Sequence, residues 1–148
     1  MSKEDFWKTA KLKLKVDDDK IAKIRKIWHG GYKPIKGMKE LVQILRKNYR
    51  VIAFSGNIKE RIEYLDRKYG LMNDFDDFVL SYNIGCSKLS LDFYKAMVKK
   101  LRCQPSQAVF IDDRQEFVDI AKSLGLHGIV FTGVEQVKND LKKLKVNV

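Results

Sequence analysis

The chain alternates short apolar runs with segments in which apolar residues recur every three or four positions. Short apolar runs bounded by polar residues or glycine indicate buried strands, whereas the three-to-four spacing indicates amphipathic helices. Strands are predicted at 50–54, 78–80, 108–111 and 128–131, and helices at 38–45, 58–69, 90–101, 117–124 and 135–144. Apolar strands that alternate with helices predict a Rossmann-like α/β fold, with a parallel sheet covered by helices on both faces.

The first 36 residues follow a different pattern. Their apolar positions fit two short helices, around 6–10 and 21–28, and the second follows an acidic turn at 17–19. We therefore predict a short helical N-terminal segment over residues 1–36 and an α/β domain over residues 37–148.

Charge and composition narrow the possible functions only slightly. The 30 Lys and Arg residues outnumber the 19 Asp and Glu residues, but they are scattered along the chain, as on a solvated surface. Such a charge favours weak, salt-sensitive contact with nucleic acid. No apolar run approaches the ~18 residues of a membrane helix, and no secretion signal is present, so we expect a cytoplasmic protein that does not contact membranes.

Polar residues follow three of the predicted elements at the edge where ligands bind in open parallel sheets. These are Ser55-Gly56-Asn57, Lys88 at the end of a loop over 81–88, and Asp112-Asp113. A hydroxyl before a helix N-terminus suits a phosphate, a lysine adds positive charge, and paired carboxylates suit Mg²⁺. Considered one at a time, Ser55 and the Asp112-Asp113 pair could be helix caps, and Lys88 could be a surface lysine. Together they predict a site for phosphoryl chemistry.

The same stretches resemble a known family. Residues 51–57, 87–94 and 109–114 resemble the second, third and fourth motifs of the haloacid dehalogenase (HAD) superfamily, most of whose members are Mg²⁺-dependent phosphohydrolases. The resemblance covers about residues 34–144, and residues 4–33 look like part of the family's helical cap. It implies that phosphate is bound by Ser55, Gly56, Asn57 and Lys88, that Lys88 also serves catalysis, and that Asp112 and Asp113 hold Mg²⁺.

The first motif of the family, an Asp-x-Asp pair at the end of an apolar strand, has no good match. The only upstream pair is Asp17 and Asp19, which follows a stretch that contains alternating lysines. A buried central strand does not accommodate such ammonium groups, so Asp17 and Asp19 are weak candidates for nucleophile and general acid-base. We expect a truncated or degenerate phosphohydrolase domain that binds Mg²⁺ weakly, is nearly inactive alone, and acts by binding a phosphorylated small molecule or protein.

Two alternatives stay open at this point. The chain could be an active Mg²⁺-dependent phosphatase that uses Asp17 or an aspartate from another chain. It could also be a basic nucleic-acid-binding protein whose α/β scaffold is incidental.

The absent strand has a structural consequence, because in the family it lies between the strands that end at Ser55 and Asp112. Unpaired backbone groups there would be costly, so a repair is expected. Direct pairing of 51–54 with 108–111 is the expected repair, since it needs no lysine in a buried strand and keeps right-handed crossovers possible. Recruitment of Lys11–Val16 as a strand is a second possibility. Strand exchange with a second copy, giving a homodimer, is a third.

Overall fold

The computed structural model describes residues 3–148; Met1 and Ser2, which begin the predicted helical segment, lie outside the described residues. Within them the chain forms α1 (Lys3–Leu14), α2 (Asp18–Gly30), α3 (Met38–Leu45), β1 (Ile52–Ser55), α4 (Lys59–Tyr69), β2 (Asp77–Leu80), α5 (Ser81–Ile84), α6 (Leu91–Lys100), β3 (Val109–Asp112), α7 (Gln115–Ser123), β4 (His127–Val130) and α8 (Val134–Lys143). The predicted strands and helices are all present with small shifts at their ends. The segment 81–88, predicted as a loop, begins with the short helix α5.

The strands are parallel, but they form two separate pairs. β1 pairs with β2, and β3 pairs with β4, and no ladder joins β1 to β3 within residues 3–148. The prediction that 51–54 pairs directly with 108–111 is therefore wrong. The two strands are joined by side chains instead of a ladder: Phe54 and Phe110 meet ring to ring, with centroids 5.4 Å apart, and both pack on Tyr94 of α6.

The predicted alternative of a makeshift strand at Lys11–Val16 is also wrong. Helix α1 continues to Leu14, and Lys15 ends it in a left-handed conformation with φ 52°. A helix lets the lysines of this stretch reach water, whereas a central strand would bury them. Among the described residues β1 and β3 thus each keep an edge without a ladder partner, and we call the region between these two strands the slot.

Helices cover both faces of the strands, as the sequence predicts. On one face α6 and α7 bury a core that includes Phe93 and Val118, both fully excluded from solvent. On the other face α3 and α8 pack on β4 through a second core that includes Leu41 and Val137. The α/β, Rossmann-like class is therefore confirmed.

Four aromatic residues hold the two strand pairs together in the absence of a ladder. Phe54 of β1 stacks on Phe93 at 4.2 Å between centroids and lies 5.0 Å from Tyr94, while Tyr94 also contacts Phe110 of β3 at 5.8 Å. Because Phe93 and Tyr94 are completely buried, α6 joins β1 and β3 through side-chain packing.

One attachment of the helical segment α1–α2 to the α/β domain is made through Glu60 of α4. The Glu60 carboxylate accepts a hydrogen bond from the Trp7 indole at 2.7 Å and pairs with Arg25 of α2. The buried His29 lies 3.5 Å from the same carboxylate, and burial lowers its pKa. The Glu60 carboxylate is thus surrounded by buried aromatic rings and paired with Arg25. These contacts fix the orientation of α1 and α2.

Replacing Gly128 in β4 by alanine is expected to destabilise the protein by about 1–3 kcal/mol through overpacking. A Cβ atom there would lie 2.5 Å from the Cγ1 atom of Val118, which is fully buried and has no room to move. Gly133→Ala is the matched control, because nothing lies within 4 Å of its Cβ position. Urea unfolding of both variants measures the difference, and equal midpoints would show that α7 does not pack on β4 as described.

Candidate functional site

Ser55, Lys88 and Asp112 come together at the carboxyl ends of β1 and β3. Ser55 ends β1 and Asp112 ends β3, while Lys88 follows α5 and forms an ion pair with the Asp112 carboxylate. Gly56 makes room for this lysine, since a Cβ atom at Gly56 would lie only 3.1 Å from the Cβ of Lys88. Three residues far apart in the sequence thus form one polar cluster, as the motif order predicts.

The ammonium group of Lys88 lies in a largely apolar setting. Its side chain is 21% exposed and its Nζ atom lies 4.8 Å from the ring centre of Phe117 and 5.5 Å from that of Phe54. Aromatic faces attract a cation and exclude water around it. Water therefore screens the charge of Lys88 less than it screens the charge of a surface lysine, and Lys88 attracts a nearby anion more strongly.

The hydroxyl of Ser55 is held by Asn57. Its Oγ atom accepts hydrogen bonds from the Asn57 backbone N–H at 3.2 Å and from the Asn57 side-chain amide at 3.1 Å. Helix α4 starts directly afterwards, and Ile58 at its cap position gives no side-chain hydrogen bond. The positive end of the α4 helix dipole therefore lies next to Ser55 without a side-chain cap from Ile58.

The two carboxylates after β3 differ in their surroundings. Asp112 is mostly buried, accepts a hydrogen bond from the backbone N–H of Arg114 at 3.1 Å, and is paired with Lys88. Asp113 is exposed and makes no hydrogen bond or ion pair with any described residue. No group of three His, Cys, Asp or Glu side chains arranged to hold a metal ion occurs among residues 3–148.

Asp17 and Asp19 lie in the helical segment rather than at a strand end. Asp17 is the N-cap of α2, where its carboxylate accepts a hydrogen bond from the backbone N–H of Lys20 at 2.8 Å. Asp19 follows in the first turn of the helix, and both side chains are exposed. The structure does not bring either carboxylate to Ser55, Lys88 or Asp112 through a hydrogen bond or ion pair in the described residues.

Sequence patterns did not reveal two buried residues next to this cluster. Arg61 of α4 is 2% exposed, and burial lowers its pKa. Its position on the apolar face of α4, beside Ile62, is the only sequence signal of burial. Tyr94 has a hydroxyl without a hydrogen-bond partner in the described residues, and burial, reinforced by the charge of Asp112, raises its pKa to about 12.

A cavity of about 670 Å³ lies at the opposite end of the strands. It is lined by Arg46, Arg50 and Arg102 together with Asp76 and Asp77. Arg46 pairs with Asp76 and Arg50 pairs with Asp77, and a hydrogen bond from Lys100 helps lower the pKa of Asp77 to about 2. Two of its arginines are thus paired with acidic residues, as Lys88 is paired with Asp112. The cluster at Lys88 differs in having the hydroxyl of Ser55 and the start of α4 beside it.

Comparison with known proteins identifies the family. The family model for haloacid dehalogenase-like hydrolases matches residues 1–125. The chain therefore belongs to the haloacid dehalogenase-like hydrolases, as its motifs predict.

Curated relatives include flavin mononucleotide hydrolase 1 of Arabidopsis thaliana, which is 29% identical over 126 residues, 84% of this chain and 51% of the relative. Drimenol cyclase drtB of Aspergillus calidoustus is 28% identical over 110 residues, 72% of this chain and 21% of the relative. The chain thus spans about half of the first of these proteins and about a fifth of the second.

Solved structures show the same fold. A HAD-family enzyme of Bacteroides thetaiotaomicron, in complex with magnesium and inorganic phosphate, matches with a TM-score of 0.74 and 20% identity over 88% of this chain and 70% of that enzyme. The magnesium-bound HAD-hydrolase YfnB of Bacillus subtilis matches with a TM-score of 0.76 and 16% identity over 96% of this chain and 73% of YfnB. Within the described part of the chain, no helix has the length and apolar character needed to cross a membrane.

Proposed function

We propose that residues 1–148 bind the phosphate group of a small molecule or protein at the cluster of Ser55, Lys88 and Asp112, and hydrolyse it poorly on their own. The observation that carries this proposal is the meeting of a hydroxyl, a half-buried ammonium group and a helix N-terminus without a side-chain cap at one strand edge. A phosphate monoester is the ligand class that satisfies all three. Flavin mononucleotide, named for the Arabidopsis relative, is such a monoester.

Lys88 changes partner when phosphate binds. In the free protein its ammonium group is paired with Asp112. A phosphate dianion beside Ser55 would pair with Lys88 either together with Asp112 or in place of it. Phosphate binding therefore costs part of the interaction energy of the Lys88–Asp112 pair. This competition favours a dianion over singly charged ligands, because only the greater charge offsets the weakened pair.

Asp112 and Asp113 have the oxygen ligands that Mg²⁺ requires, and they are the residues of this chain that would hold it. Bound there, the ion would neutralise charge on the phosphate oxygens. Asp112 is already paired with Lys88, and two carboxylates leave most of the six ligand positions to water, so we propose that Mg²⁺ binds weakly to these residues.

Weak hydrolysis follows from the absence of a suitable nucleophile among the described residues. Asp112 is neutralised by Lys88, and Asp17 and Asp19 belong to the start of α2. Without an attacking carboxylate, an enzyme of the covalent type loses several orders of magnitude in rate.

A second candidate function is full phosphohydrolase activity with a carboxylate from outside these 148 residues, in the same polypeptide or in a second copy. The slot favours this candidate, since β1 and β3 each present an edge without a ladder partner there. A parallel strand in the slot would satisfy both edges and would end beside Lys88. The nucleic-acid alternative rests on the net charge of +11 alone and lacks a comparable cluster.

Inorganic phosphate is expected to bind the wild-type chain, and Ser55→Ala and Lys88→Met are expected to weaken that binding about tenfold or more, because a charge-assisted hydrogen bond is worth ~1.5–3 kcal/mol. Calorimetric titration at low ionic strength measures the affinities. Lys95→Met, at an exposed lysine of α6, is the matched control and should leave them unchanged. Equal loss in Lys88→Met and Lys95→Met, with no loss in Ser55→Ala, would indicate attraction by net charge rather than a site.

A further inference from the structure

We propose that Arg61 is a positioning residue: acting through Asn57, it turns the hydroxyl of Ser55 towards a bound phosphate. The helical segment α1–α2 in turn fixes Arg61. This inference rests on the proposed phosphate site. It adds that the N-terminal helices, through Arg61, set the orientation of the Ser55 hydroxyl in that site.

The first step is the orientation of the Asn57 side chain. Arg61 donates a hydrogen bond from its Nη1 atom to the Asn57 amide oxygen at 3.3 Å. Since arginine has only donors, it accepts no hydrogen bond from the amide nitrogen, and the reversed amide would be repelled. The Asn57 Nδ2 atom is therefore turned to Ser55, where it donates at 3.1 Å.

The second step is the direction of the Ser55 O–H bond. The Oγ atom already accepts two hydrogen bonds, both from Asn57. A hydroxyl has two acceptor lone pairs and one donor hydrogen, so the hydrogen is the only group left for a ligand. A phosphate oxygen, which is an acceptor, suits this hydroxyl, whereas a ligand that donates to it would find no free lone pair.

The third step is the immobility of Arg61 itself. Its Nη2 atom donates to the backbone carbonyl of Trp28 at 2.9 Å, and its guanidinium lies between the rings of Trp28 and Tyr32, 4.0 Å from the Tyr32 ring centre. With 2% of the residue exposed, the planar group has no room to rotate. The end of α2 thereby sets the position of the guanidinium and, through Asn57, of the Ser55 hydroxyl.

A double-mutant cycle with inorganic phosphate tests this inference. Arg61→Lys keeps the charge but loses the two-pronged geometry, and Asn57→Ala removes the amide; each is expected to weaken phosphate binding about five- to tenfold. Because Arg61 acts through Asn57, the double variant should bind no more than twofold more weakly than Asn57→Ala alone. Arg67→Lys, at an exposed arginine of the same helix, is the control and should bind as the wild type does.

Two further readouts separate positioning from folding. Urea unfolding identifies any variant that is not folded, and the side-chain amide resonances of Asn57 should shift in folded Arg61→Lys before phosphate is added. Additive losses, or unchanged Asn57 resonances, would overturn the inference while the phosphate site stands. Absence of phosphate binding by the wild type would overturn the proposed function and the positioning role with it.

Discussion

A strand that ends in Asp-x-Asp, joined through a flexible linker to the amino terminus, is expected to raise Mg²⁺-dependent hydrolysis of p-nitrophenyl phosphate about a thousandfold or more over the unmodified chain. Among the described residues β1 and β3 each have an edge without a ladder partner, so an apolar parallel strand in the slot would pair with both, and its carboxyl end would place the first aspartate beside Lys88 and Asp112. Each buried N–H or C=O group that gains a partner there adds about 1–3 kcal/mol, which drives insertion.

The control carries the same strand with the first aspartate changed to asparagine. It should insert and stabilise the fold equally but leave hydrolysis at the level of the unmodified chain. Asp17→Ala in the unmodified chain should leave its hydrolysis unchanged, because Asp17 caps α2 and its loss affects only the stability of that helix. Loss of activity in Asp17→Ala would instead identify Asp17 as the nucleophile. Equal activity of the aspartate and asparagine strands would refute the account of the slot.

Phe93→Ala is expected to lower the free energy of unfolding by about 3–5 kcal/mol. Phe93 is fully buried and stacks on Phe54, and the cluster that it forms joins β1 to β3 where no backbone ladder does. A domain of this size has a total stability of only ~5–15 kcal/mol, so the variant should unfold at much lower urea concentration or fail to fold near body temperature.

Leu91→Ala, in the first turn of the same helix, is the matched control, because Leu91 is 45% exposed. Its unfolding free energy should change by about 0.5 kcal/mol or less. Similar small losses in both variants would mean that the aromatic cluster does not connect the two strand pairs.

Periodicity alone predicts the elements of this fold well. Apolar runs such as 108–111 have few alternatives to a buried strand, and Gly70 ends α4 with φ 68°, as a glycine after a helical pattern predicts. The parallel direction also follows from the order of elements, since a helix connects each strand to the next.

The arrangement between β1 and β3 was not predictable in the same way. Direct pairing was expected because it needs no lysine in a buried strand and keeps right-handed crossovers possible. In the structure Phe54 and Phe110 instead pack on α6, and that packing depends on residues far apart in the sequence. Periodicity indicates which face of an element is buried, but it does not indicate which buried side chains contact each other.

The candidate site was only partly predictable from the sequence, because some of its residues are buried by contacts between distant parts of the chain. Ser55, Lys88 and Asp112 stand at recognisable positions after strands or loops, so motif order reveals them. Arg61 lies inside a helix rich in charged residues, and its burial depends on Trp28 and Tyr32 from the helical segment. A buried arginine of this kind becomes visible only when the tertiary contacts are known.

The most direct test of the phosphate site is a titration of the ¹⁵N-labelled chain with inorganic phosphate, followed by amide chemical shifts. The account predicts saturable shifts centred on Ser55, Gly56, Asn57, Lys88 and Asp112, with little change at Arg46, Arg50 and Arg102 around the large cavity. Shifts confined to that cavity, or spread over exposed lysines without saturation, would contradict it.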